Sequence, residues 1–297
     1  MWRDEERQGT LLMAVRRSAF ILLAVLLLAG CDAGLSSTAG ASITPAPTIT
    51  SAHRDKTTVQ YCVDDTGSYP RDDFRGANKL LAQNLVDAVT PNSDGLTLYT
   101  TLINSKTYDS SSTLDPFQIP AIAAYPSLPA PIPTPTEGNP ISYAKEKQAA
   151  QAKNDDAIKA YNSQLASVKK QVEDLKQQVS SDTNRLVNLN PAVDRDATSV
   201  WGCLQLARTR FQQNPGAHYL IIASDMENNT SVDYTADFQS SQALKDVHVA
   251  VVYFYCSNAR SCQSTTTQWQ NIFTGSGAAS VKFTDPAGSQ SLKNLFG

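Results

Sequence analysis

The sequence predicts an α/β fold: a mostly parallel central sheet with helices on both faces, plus one long insertion. Three observations carry that expectation. Strand-like runs of β-branched and aromatic residues alternate with stretches of helical apolar spacing, the order that builds parallel sheets. Two of the runs, "YLIIA" and "VAVVYFY", are continuously apolar, as strands covered on both faces are. One stretch, 108–190, follows neither pattern and therefore reads as an insertion between strands.

The elements follow in order. Residues 57–64, "TTVQYCVD", read as the first strand. Leu80, Leu81, Leu85, Val86 and Val89 then recur at helical spacing, and Pro70 suits a first helical turn. Residues 95–104, "GLTLYTTLIN", read as the second strand. After the insertion, "DRDATSVWGCLQLA" opens an amphipathic helix, "HYLIIASD" (218–225) is the third strand and "VHVAVVYFY" (247–255) the fourth. Between those two strands "SSQALKD" reads as a helix. "SVKFTD" (280–285) is a last strand, and "GSQSLKNLF" closes with a short helix.

The insertion has two halves. From Pro116 to Pro140, eight prolines fall in 25 residues, which excludes a helix or a central strand and favours polyproline II. More than forty residues without glycine or proline follow. Within them Ile158, Tyr161, Leu165, Val168, Val172, Leu175 and Val179 are spaced alternately by three and four, a heptad seam. A helix of about 45 residues spans roughly 68 Å. The proline segment, extended over about 25 residues, spans roughly 78 Å. The two lengths suit a projecting stalk with the proline strand antiparallel on the helix and Ile119, Ile122, Tyr125, Leu128 and Ile132 on its seam. The alternative is a helix, 143–187, whose seam dimerises with a second copy.

Composition sets limits. The chain has 297 residues, a hydrophobic fraction of 41% and a net charge of −3, so a core is within reach and nothing favours nucleic acid. The three histidines, His53, His218 and His248, are scattered, which speaks against a His-rich metal site. Near the start, Arg16 and Arg17 precede the apolar run "SAFILLAVLLLAG", and Leu28-Ala29-Gly30-Cys31 resembles the lipobox of bacterial lipoproteins. That resemblance implies a signal peptide over 1–30, a diacylglycerol on Cys31, a cell-membrane anchor and an extracytoplasmic compartment. Residues 31–55 read as a flexible tether. The folded part then comprises 56–107 and 191–297, with 108–190 inserted. Cys256 and Cys262 bracket a short loop and suit a local bridge, whereas Cys62 and Cys203 either pair or stay as buried thiols.

The chemistry centres on Asp64-Asp65-Thr66-Gly67-Ser68, at the carboxyl end of the first strand. Asp64, Thr66 and Ser68 form D-x-T-x-S, which is similar to the D-x-S-x-S signature of von Willebrand factor A (vWA) domains, a Rossmann-like fold with a metal-ion-dependent adhesion site. The resemblance implies a threonine before a later helix, matched by Thr198, and an aspartate after the fourth strand of that fold, matched by Asp225. It covers about 57–107 and 191–297, and the insertion falls where the family has a short strand and a helix. It implies a bound Mg²⁺, or Mn²⁺ or Ca²⁺, held by Asp64, Thr66, Ser68, Thr198 and Asp225, with a carboxylate from a protein or cell-surface partner completing the shell. All five donors are hard oxygens, as these ions prefer. Asp65 reads as a supporting or solvent-facing residue. The family's Thr-Asp-Gly reads Ser224-Asp225-Met226 here, so its glycine is lost. The competing reading makes Ser68 and Thr198 ordinary helix caps.

No nucleophile elbow or general-base histidine accompanies Asp64, Asp225 and Glu227, so the chain reads as a binding protein and not an enzyme. The alternative function is a structural envelope lipoprotein whose stalk makes the contacts and whose vWA-like domain is a metal-free scaffold.

Overall fold

The computed structural model describes residues 56–135, 139–190 and 197–296. Every described residue belongs to one compact unit within Ser51–Gly297. The signal segment and the whole tether, Cys31 included, lie outside the described residues, as do 191–196, where the second part of the folded region was expected to begin.

Six strands form one sheet in the order β3-β2-β1-β4-β5-β6. β1 (Thr57–Asp64) lies between β2 (Leu96–Ile103) and β4 (His218–Ala223), parallel to both. β5 (Val247–Val252) and β6 (Ser280–Phe283) extend the parallel ladder. The edge strand β3 (Phe117–Ile119) is antiparallel to β2. Flanked by Pro116 and Pro120, it can occur only at an edge, because each proline lacks a ladder N–H.

Alternation along each strand divides the core in two. Val59, Tyr61 and Val63 of β1, with Ile221 and Ala223 of β4, face α1 (Arg71–Asp87) and the second half of α2 (Pro140–Val187). Cys62 of β1, with Leu220 and Ile222 of β4, faces α3 (Val200–Gln213), α4 (Thr235–Ser240) and α5 (Ala259–Gly275). Helices thus cover both faces, as the sequence predicts. Two short helices fall elsewhere than expected. Between β4 and β5 the helix is Thr235–Ser240, one step before "SSQALKD". Residues 241–246 make turns instead, with Gln242 and Asp246 at φ 50 and 62, values no helix tolerates. The last helix, α6, is Pro286–Ser289, opened by the Asp285 side chain accepting from the Gly288 N–H, and 290–296 are not helical.

The insertion is less separate than its composition suggests. Val172, Leu175, Val179 and Leu186 of α2 are buried with Leu81 and Leu85 of α1. This half of the heptad seam is therefore covered by the same chain and closed to a second copy. Farther out, the Asn154 side chain accepts from the Ile132 N–H at 2.7 Å and donates to its carbonyl at 3.2 Å, holding the proline strand to the helix as a strand neighbour would. Ile122 shares the core with Leu175. From Ile122 to Ile132 the polyproline rise is about 31 Å. From Leu175 back to Asn154 the helix rise is about 32 Å. The rises match, so strand and helix stay in register. Along this stretch Tyr125, Leu128 and Ile132 remain 47%, 69% and 39% exposed, so the helix does not bury them as a full seam would.

Two disulfides form. Cys62 on β1 joins Cys203 on α3, and Cys256 joins Cys262. Bridges of this kind belong to oxidising, extracytoplasmic settings. No helix among the described residues is long and apolar enough to cross a membrane.

The two bridges differ in the loop they close, 141 against 6 residues of separation. Loop-entropy arithmetic gives about 5 kcal/mol for the first and about 2 kcal/mol for the second. Denaturant unfolding should therefore show Cys62→Ala/Cys203→Ala losing about twice as much stability as Cys256→Ala/Cys262→Ala. Equal losses would mean that the long bridge does not restrain the unfolded chain. In hydrogen exchange, Asn154→Ala should speed the Ile132 amide and leave β1 and β4 amides unchanged.

Candidate metal centre

The strands deliver their carboxyl ends to one edge. Asp64 is the last residue of β1, paired with Ile103 of β2, and Val63 pairs with Ala223 of β4. Asp225 follows two residues later, so the two carboxylates arrive side by side. Asp64 is 1% exposed and Asp225 5%. Thr198 precedes α3, whose first turns pack close to the loop after β2. A Cβ on Gly202 would lie 2.8 Å from Thr107 Cβ, so glycine is required for that approach.

The D-x-T-x-S loop closes on its own aspartate. Thr66 donates to Asp64 Oδ1 from its hydroxyl at 2.6 Å and from its backbone N–H at 3.0 Å. Its hydroxyl lies 3.1 Å from that of Ser68, and the Ser68 hydroxyl also bonds to the Asp225 carboxylate. Thr198 is pinned by Asn229: its N–H donates to Asn229 Oδ1 at 2.6 Å, and its carbonyl accepts the Asn229 N–H at 3.3 Å. Asp64, Thr66, Ser68 and Asp225 are thus joined by hydrogen bonds at this edge, while Thr198 stands in the loop before α3 with Asn229 as its partner.

The capping alternative fails for both hydroxyl residues. The cap of α1 is Pro70, with no side-chain bond, so Ser68 does not cap it. The cap of α3 is Ser199, whose hydroxyl accepts from the Gly202 N–H at 3.2 Å, so Thr198 is not the cap either. Asp65 is 1% exposed, which removes the solvent-facing reading; its backbone N–H donates to the Ile103 carbonyl at 3.0 Å.

Sequence reasoning missed how the site is braced. Ser224, fully buried, donates to Asp64 Oδ2 at 2.6 Å and accepts the Met226 N–H at 2.8 Å. Met226 stands at φ 60, so the turn keeps the backbone its missing glycine would favour. A methionine there costs about 1 kcal/mol. Its buried side chain and the Trp269 indole N–H, donating to its carbonyl at 2.9 Å, hold it in place. The serine in place of threonine in "SDM" was the available signal for Ser224. Nothing in the sequence marked Asn229 or Trp269.

Burial pushes the Asp64 carboxyl up to about 7, and the nearby Asp225 charge adds to the rise, against the hydrogen bonds from Ser224 and Thr66. Burial also raises Asp225, opposed by the Glu227 N–H and Ser68. No ion pair among the described residues reaches either carboxylate. Two desolvated like charges without a cation, surrounded by neutral hydroxyls, fit a small hard divalent ion. Among the described residues, no three His, Cys, Asp or Glu side chains gather into one group, so a metal here would draw on two carboxylates and on hydroxyls.

The sheet order and the helices on both faces make a mostly parallel, Rossmann-like α/β fold, the kind a vWA-like domain has. No protein-family model matches the chain, and no curated protein matches it. Solved structures do align with it. An aerotolerance-related membrane protein of Bacteroides fragilis aligns over 79% of this chain and 94% of its own, at 13% identity and a TM-score of 0.37. Proximal thread matrix protein 1 of the mussel byssus, with a zinc-occupied MIDAS motif, aligns over 81% of this chain and 43% of its own, at 11% and 0.38. The manganese-loaded TRAP protein of Plasmodium vivax aligns over 77% and 69%, at 12% and 0.38. Likenesses this distant decide nothing about which residues act. Strand order and the hydrogen bonds that join Asp64, Thr66, Ser68 and Asp225 describe the site.

The raised carboxyl has a sign. Folded Asp64 holds its proton more tightly than the unfolded chain does, with a folded value of about 7. Its contribution to stability is full below about pH 4 and is lost as pH rises through about 7. The loss is on the order of 4 kcal/mol. In EDTA, wild-type melting temperature should therefore fall relative to Asp64→Asn between pH 4 and pH 8. Parallel curves would show that Asp64 carries no buried-charge penalty.

Proposed function

We propose that this chain is a membrane-anchored extracytoplasmic lipoprotein whose vWA-like domain binds a divalent metal and, through it, a protein or surface ligand. Asp64, Thr66, Ser68, Thr198 and Asp225 would hold Mg²⁺, or Mn²⁺ or Ca²⁺, directly or through water, and Cys31 would carry the lipid. The observation that supports the metal reading most is the buried Asp64–Asp225 pair among hydroxyls with no cationic neighbour described. When bound, the metal supplies a positive centre able to accept a partner's carboxylate. The chain's own residues do the rest: Ser224 and Thr66 orient Asp64, Ser68 bonds to Thr66 and to Asp225, and Asn229 places Thr198. The reading is one of binding rather than catalysis.

A second reading has its own support. Ile141, at the outer end of α2, is 83% exposed, and Leu128 on the proline strand 69%. Apolar side chains at the end of a stalk suit contacts made there, with the vWA-like body as scaffold.

Thermal unfolding of the full chain with Mg²⁺, Mn²⁺ or EDTA tests the first reading. Metal should stabilise the fold with the logarithm of its concentration, by about 2.7 kcal/mol at a hundred times the dissociation constant, and so raise the midpoint. Asp64→Ala should abolish the response and partner capture while the protein stays folded. A flat wild-type response to millimolar metal removes the proposal. Shortening only the outer stalk, residues 125–165, tests the second reading. Truncation must spare Val172, Leu175 and Val179, which belong to the core.

A further inference from the structure

Among the described residues outside the proline strand and α2, three large apolar side chains stand exposed: Tyr108 at 56%, Val232 at 46% and Tyr255 at 41%. Single exposed residues scattered over a surface need no explanation. These three are not scattered. Tyr108 lies on the loop after β2, Val232 on the loop after β4 and Tyr255 on the loop after β5. The strands β1, β2, β4 and β5 run parallel, so all three loops leave the edge that carries Asp64 and Asp225. In the order β2-β1-β4-β5, the loops after β2 and β5 start on either side of the carboxylate pair. Three strand spacings, about 14 Å, separate those two strands.

The loops that present these side chains are fastened. The Thr107 hydroxyl donates to the Asn104 carbonyl at 2.7 Å and accepts the Asn104 N–H at 2.9 Å, and the Ser112 hydroxyl donates to the Lys106 carbonyl at 2.8 Å. The Tyr108 and Tyr234 hydroxyls are hydrogen-bonded to each other. Tyr234 in turn meets Trp201 edge-on, with ring centroids 5.9 Å apart, and Trp201 packs on Trp269 at 5.3 Å. Beside Val232, the Asp233 carboxylate accepts the Thr235 N–H at 2.8 Å and its hydroxyl at 2.6 Å. Tyr255 stands between Phe254, whose N–H donates to the Thr284 carbonyl at 3.0 Å, and the Cys256–Cys262 bridge.

We propose that this rim receives bulky apolar side chains of a protein partner, next to the carboxylate that the partner offers to the metal. The carboxylate half rests on the metal reading given above; the apolar half rests on the rim alone. A carboxylate on a metal is one point of contact and discriminates little between partners. Tyrosines on fixed backbone add contact area at low cost in side-chain entropy, as they do in protein interfaces. Val232 brings no hydrogen-bonding group, which favours an apolar side chain over a sugar.

The test is amide NMR on the full-length chain in Mg²⁺. The probes are the peptides acetyl-Phe-Asp-Phe-amide, acetyl-Gly-Asp-Gly-amide and acetyl-Phe-Asn-Phe-amide. Expected are saturable shifts at Tyr108, Val232 and Tyr255 with the first peptide, and binding about tenfold weaker for the glycyl peptide. Tyr108→Ser/Val232→Ser should remove that tenfold advantage. Equal binding of the two aspartyl peptides overturns the proposal, as do an advantage kept by the folded variant and the absence of shifts at millimolar peptide. Should the variant not fold, the wild-type comparison of the peptides decides alone. The asparaginyl peptide separates the two readings. If it binds as well as its aspartyl counterpart and still better than the glycyl one, the rim is supported and the metal-borne carboxylate is lost. The same shifts with maltose overturn the proposal in favour of a sugar platform. Shifts at these amides on concentrating the protein alone overturn it in favour of a second copy.

Discussion

The register of β1 is the constraint on which the other features depend. This strand has a parallel neighbour on each side, so its backbone bonds are committed along both edges. Its alternation sends Val59, Tyr61 and Val63 to one core and Cys62 to the other. A slip of one residue would exchange those faces, bury the wrong side chains and unmake the Cys62–Cys203 bridge. It would also withdraw Asp64 from the edge where Asp225 arrives. Fold, disulfide and candidate site therefore stand or fall together.

That edge is built against the usual rule for cores. Two carboxylates are removed from water, one with its proton affinity raised to about 7. Neutral donors from Thr66, Ser68 and Ser224 soften the arrangement without neutralising it. Hydrogen bonds to a buried carboxylate recover part of its lost hydration, but repulsion between two such groups persists until a proton or a cation intervenes. Met226 adds a further tension in the same turn, with its left-handed backbone stabilised by Trp269 from α5. Strain of this kind lasts only where the surroundings overdetermine the conformation.

The insertion is best understood as the edge strand and neighbouring helix of the fold grown outward. β3 pairs with β2, and the second half of α2 covers α1. Only the outer halves project, kept in step because polyproline II covers in ten residues what an α-helix covers in about twenty. The heptad seam changes along its length: Val172, Leu175 and Val179 seal the body, while Tyr161, Leu165 and Val168 farther out are only half-buried.

Local pattern alone determined much of this protein. Apolar runs and helical spacings specified the α/β class and the main elements, because their periods reflect which faces are buried. The spelling of Asp64-x-Thr66-x-Ser68 and the strand context of Asp225 named four residues that are hydrogen-bonded to one another at the edge. What only the tertiary structure decided involves partners far apart in sequence. Cys62 and Cys203 had to be brought together before bridge and buried thiols could be told apart. Ser224, Asn229 and Trp269 matter through hydrogen bonds to residues on other segments, and no local period records such bonds. Asp65 was buried by its neighbours and not by its own type. The seam of α2 spelled a coiled coil, but its inner half met α1 first, because a contact within one chain carries no cost of bringing two molecules together.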